Sequence, residues 1–150
     1  MRTRLLTVVV LGAALAGWYG VGSSTGSTRS QSAFHSVLVA KLTGRAEVGK
    51  GSSTGSGTAR ITLNLRTGKA CWRLSVRRLD KTLSAHVHKA PPGKTGPVVI
   101  PLGARFSTRG CVTVPAKSLR AVGTNPRAYY VNVHTRRHLN GAIRGRLRVG

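Results

Sequence analysis

Acidic side chains are nearly missing from this chain. Glu47 and Asp80 are the only two in 150 residues, against 25 Lys and Arg, which gives a formal charge of +23. That scarcity excludes chemistry: no pair of carboxylates is available as the acid and base of glycoside hydrolysis. Ser84 lies near His86, but no acid is placed to orient that imidazole, and the G-x-S-x-G nucleophile turn is absent. Aromatic residues make up 5% of the chain. Cysteine occurs twice, at Cys71 and Cys111, and neither is part of a CxxC, so dithiol redox and zinc-finger chemistry have no support. Gly93-Lys94-Thr95 looks like the end of a phosphate-binding P-loop, but the motif's first glycine position is His88.

What is present is glycine, with 19 residues, and an ordinary 40% of hydrophobic residues. A Gly-rich, aromatic-poor chain full of Val, Ile and Thr builds short strands and turns rather than helices. The one-sided charge points to an anionic surface or polymer as partner, with a merely solubilising basic surface as the alternative. Anionic cell-wall polymers, glycans, lipid headgroups and nucleic acid all carry the complementary charge.

The N-terminus sets the compartment. Met1-Arg2-Thr3-Arg4 is a basic start, Leu5 to Ala16 is apolar, and Ala14-Leu15-Ala16 fits a small-x-small cleavage pattern. Residues 1–16 therefore read as a signal peptide, with cleavage as late as about residue 21 also compatible. An uncleaved anchor over Leu5 to Val21, interrupted by Gly12, Gly17 and Gly20, is the alternative and the only route to a membrane. Export makes the expected location secreted, extracellular or cell-envelope associated, and it argues against nucleic acid as physiological partner. It also favours a single Cys71–Cys111 disulfide over two buried thiols. That bridge closes a loop of about 40 residues, worth roughly 3–4 kcal/mol in the chain-entropy account.

Residues 17–33 read as a disordered Ser/Thr/Gly linker. The folded domain then spans residues 34–150. Phe34 to Leu42 is a strand, and Thr43 to Gly57 a long polar loop. Thr58 to Leu65 alternates, with Ala59, Ile61, Leu63 and Leu65 on one face. Arg66 to Lys69 is a hairpin turn, and Ala70 to Leu79 returns with Trp72, Leu74 and Val76 inward. Val98 to Ile100 reads as a short buried strand and Gly110 to Val114 as another. Pro115 to Gly123 is the one helical candidate, with Leu119 and Val122 on one side. Ala128 to Thr135 puts Tyr129, Val131 and Val133 on one face and Tyr130, Asn132 and His134 on the other. Asn140-Gly141 signals a tight turn, and Ala142 to Val149 is the last strand. About eight short strands with one short helix predict an all-β, antiparallel Greek-key-type sandwich or barrel.

Thr82 to Val99 carries the candidate site. Its first strand holds His86 and His88 two residues apart, and residues i and i+2 of a strand share a face. Two imidazoles presented together suit Cu(II) or Zn(II). Cross-strand hydrogen bonding that steadies the adjacent turn is the structural alternative. For a polyanion, Arg136 and Arg137 lie beside Arg144, Arg146 and Arg148, and alternation puts the last three on one strand face, a basic stripe if that face is exposed.

These blocks together resemble one family. "AHVHKAPPGKTGPVVIPL", "GCVTV", "NPRAYYVNVHT" and "NGAIRGRL", in that order and preceded by "VAKLTGRAEV", are similar to the bacterial form of the CHRD (chordin) domain. The resemblance covers about Val37 to Leu147. Gly49-Lys50 stands where a proline pair often follows E-V, and Arg146 stands in place of the usual Gln. The resemblance implies an extracellular binding or structural module without defined catalysis, with a protein partner among the options. The His-x-His strand and "VNVHT" are also similar to the copper-binding strands of copper–zinc superoxide dismutase, which by that analogy brings His86, His88 and His134 together. A dismutase also needs a bridging histidine and a carboxylate-bearing zinc site, for which only His35, His138 and Asp80 remain. Enzymatic activity stays open on these grounds, with a non-enzyme favoured.

Overall fold

Alternation of apolar and polar residues drives the architecture. The computed structural model describes residues 35–150, so the leader, its cleavage or anchoring, and the linker lie outside the described residues. Nine strands form one antiparallel sheet: β1 (His35–Thr43), β2 (Ser56–Asn64), β3 (Lys69–Arg77), β4 (Thr82–Lys89), β5 (Val98–Pro101), β6 (Arg109–Thr113), β7 (Tyr129–Thr135), β8 (Ile143–Arg146) and β9 (Arg148–Val149). The order is β5-β4-β7-β8-β1-β2-β3-β6, with β9 paired to β1. The single α-helix among the described residues is α1 (Ala116–Thr124).

In β2 the inward residues Ala59, Ile61 and Leu63 are buried and oppose Ala40, Leu38 and Ser36 of β1. The same period puts Trp72 and Leu74 of β3 inside, and Leu119 and Val122 of α1 close one end. The Asn64 side chain accepts from the backbone N–H of Arg66 and Thr67, which shapes the turn before Gly68, itself at φ 66°.

The open edges are stitched by the segment 102–108. Leu102 and Phe106 donate backbone N–H groups to Ala85 and Leu83 of β4, and Thr108 accepts from Leu74 of β3. The sheet is thereby nearly closed into a barrel. Cys71 and Cys111 face each other in the β3–β6 register and are joined by a disulfide.

One local reading changes: among the described residues the short strand β5 pairs only with β4, so Val98 stands exposed and Ile100 alone is fully buried. Strand β7, flanked by β4 and β8, has six of its seven residues buried, so both of its faces are covered.

Candidate metal centre

The second face of β7 is where the candidate ligands meet. In the β4–β7 register, Ser84 opposes His134, His86 opposes Asn132 and His88 opposes Tyr130. Opposed residues share a face, so His86, His88 and His134 all project to one side and His134 is diagonal to His86. One ring nitrogen from each of the three falls within 4.8 Å of the others. His86 Nδ1 lies 3.2 Å from His134 Nε2, about the spacing that two nitrogens take on one tetrahedral ion with roughly 2.0–2.1 Å bonds.

Loops fix the ring orientations. His88 Nδ1–H donates to the Gly96 carbonyl at 2.9 Å, and His134 Nδ1–H donates to the Leu139 carbonyl at 2.8 Å. Each bond assigns the lone pair to Nε2, the nitrogen facing the cluster. A second-nitrogen hydrogen bond of this kind is what orients metal-ligating imidazoles. Gly96 is required for the first of them: a Cβ there would meet the Lys89 carbonyl at 1.9 Å. His88 also stacks on Tyr130, with centroids 5.0 Å apart and 9° between the planes.

Burial makes His86 and His88 poor in protons. Desolvation first, then the neighbouring His134 and His88, lower the His86 pKa to about 4. Burial likewise holds His88 below the usual imidazole range. Neutral imidazoles are the form that binds a cation.

Beside the histidines lies a cavity of about 460 Å³, lined by His88, His134, Asn132, Tyr130, Arg144 and Thr95 among others. Two buried atoms there have no hydrogen-bond partner among the described residues, His88 Nε2 and Asn132 Oδ1. Both are lone-pair acceptors, so the polar demand of the site is for a cation or a donor rather than for an anion.

One contributor was not legible in the sequence. Glu47, in the loop after β1, is buried and accepts from Asn132 Nδ2 at 2.6 Å and from Arg144 Nε at 2.7 Å. It thereby orients Asn132 so that Oδ1 is the free atom. Burial pushes the Glu47 carboxyl above its usual range, against the opposing pull of Arg144. Glu47 reaches the site through Asn132, from 85 residues away.

The arginines distribute differently from their alternation. Arg144 is buried, paired with Glu47, bonded through one terminal nitrogen to the Lys94 carbonyl at 3.0 Å and stacked 4.4 Å over Tyr130. Arg146 is half-buried and donates to the Ala90 and Arg127 carbonyls, while Arg148 is exposed on β9. These three do not form one exposed stripe, because β8 is an interior strand between β7 and β1. Arg136 and Arg137 are exposed in the turn after β7, where the Arg137 backbone N–H donates to Asp80 at 3.0 Å. His35 is exposed on β1, and His138 lies 4.0 Å from Asp80.

No curated protein and no solved structure gives a match to the chain, so the likeness of the histidine strands to copper–zinc superoxide dismutase is not borne out. The family model for the CHRD domain matches residues 38–147, which takes in every strand from β1 to β8 in whole or large part and all three histidines. The chain belongs to the CHRD domain family.

Proposed function

We propose that this protein is an exported binding module whose histidine cluster holds a borderline divalent cation, Cu(II) or Zn(II). The observation that carries the reading is the convergence of three ring nitrogens with two of the rings pinned from behind by backbone carbonyls. His88 and His134 would bind through Nε2, and His86 through Nδ1, giving up its hydrogen bond to His134. The low basicity of His86 removes proton competition at neutral pH. An all-nitrogen donor set favours these ions over Mg(II) or Ca(II), which take oxygen ligands. The disulfide fits an oxidising compartment, and the basic-apolar-small leader supports export.

Calorimetric titration of the folded domain with Cu(II) and Zn(II), beside a His86→Ala/His88→Ala variant, tests the site. One ion bound per chain with sub-micromolar affinity and lost in the variant is the expected result. No binding, or equal binding by both proteins, rejects it.

A further inference from the structure

The outer face of the β1–β2–β3 sheet carries a feature that no single strand displays. Register aligns Arg148 of β9 with Val39 of β1, Val39 with Arg60 of β2, Arg60 with Arg73 of β3, and Arg73 with Arg109 of β6. Directly opposed residues share a face, so four arginines lie in one row across five strands, spaced by multiples of about 4.8 Å. All four are exposed.

Like charges directly opposed across a ladder destabilise it. Arg60–Arg73 and Arg73–Arg109 are both such pairs. No acidic side chain relieves them, since the chain's two are committed elsewhere: Glu47 is buried against Arg144, and Asp80 is held in the turn beside Arg137. Beside the row runs a trough of about 810 Å³. Gly57, Thr58 and Ser75 are among its lining, and Lys41, Arg60, Arg73, Arg77 and Arg148 bring positive charge to it.

We propose that this face binds an extended linear polymer of phosphate groups lying across the strands. The charge is complementary and no acidic side chain offsets it, and planar guanidinium forks match phosphate oxygens in pairs. Thr58 and Ser75 add hydroxyl donors within the trough. No aromatic residue stands among the exposed residues of the row or the trough lining, so bases have no stacking platform. No large apolar side chain there is exposed to enter a bilayer. This surface is independent of the histidine cluster, which lies on β4 and β7.

The test is binding of labelled inorganic polyphosphate across a salt series. Four proteins are compared: the parent chain, Arg60→Gln/Arg73→Gln/Arg109→Gln, the same three positions changed to Lys, and a charge-matched control at exposed arginines outside the row and the trough, Arg45→Gln/Arg66→Gln/Arg120→Gln. The Gln row variant is expected to bind about tenfold or more weakly and to lose about two units of the log–log salt slope. The Lys row variant keeps the slope and loses part of the affinity, and the control stays within about twofold of the parent. Thermal melting checks folding, and relief of the opposed arginines is expected to leave the Gln row variant at least as stable as the parent. Equal losses in the row and control variants, or none in either, overturn the proposal, because binding then follows net charge and not this face. Tighter binding of heparin, single-stranded DNA or phosphatidylglycerol vesicles than of polyphosphate overturns the choice of polymer.

Discussion

His86 sits half-buried between two other imidazoles, and its stability linkage follows from that. In the unfolded chain it takes its proton near 6.5, and in the folded chain only near 4. Between those values the unfolded state holds more protons, so stability falls as the pH drops through this window and levels off above it. His88, also depressed, adds in the same direction. Melting of the chelator-treated protein is therefore expected to move to lower temperature from pH 6.5 to 4, and His86→Asn is expected to flatten that slope. A melting temperature that rises with acidification would contradict the assignment. Glu47 carries a different cost. Its carboxylate is the acid facing the buried Arg144 guanidinium, and removing one partner of a buried pair leaves an uncompensated charge. Glu47→Gln is expected to destabilise the domain by about 3–5 kcal/mol in urea unfolding. The double change Glu47→Gln/Arg144→Met should recover part of that loss. A single variant as stable as the parent would show that the pair adds nothing.

At the scale of elements, period-2 patterning carried far. It gave β2 with Ala59, Ile61 and Leu63 inward, β3 with Trp72 and Leu74 inward, and the shared face of His86 and His88. Pro115 before Leu119 and Val122 was enough to find the helix. Alternation states which residues share a face but not what covers that face. It could not show that Tyr130 lies buried under the Arg144 guanidinium and Asn132 against Glu47, nor that Glu47 returns across 97 residues to pair with Arg144. The carbonyls of Gly96 and Leu139 that orient His88 and His134 belong to loops and have no side-chain signature. The arginine row was hidden for a related reason: Arg60, Arg73, Arg109 and Arg148 come from four strands, and only their register aligns them.

Across the whole molecule, a charge of +23 with both acids engaged internally leaves a surface that repels itself. Such a fold depends on its covalent and hydrophobic closure. Among the described residues strand β6 pairs with β3 alone, and Arg73 and Arg109 repel each other across that ladder. The disulfide spans the same pair of strands two positions along, at Cys71 and Cys111, and so clamps the edge where the charge is least balanced. It closes a sequence separation of 40 residues, for which loop-closure entropy gives about 4 kcal/mol. Reduction under native conditions is expected to lower the urea midpoint accordingly, with amide exchange accelerating first in β6 and least in β7, which is buried on both faces. Added salt should restore part of the loss by screening the arginines. An unchanged midpoint after verified reduction would mean that hydrophobic burial and the stitching segment 102–108 hold the barrel closed unaided.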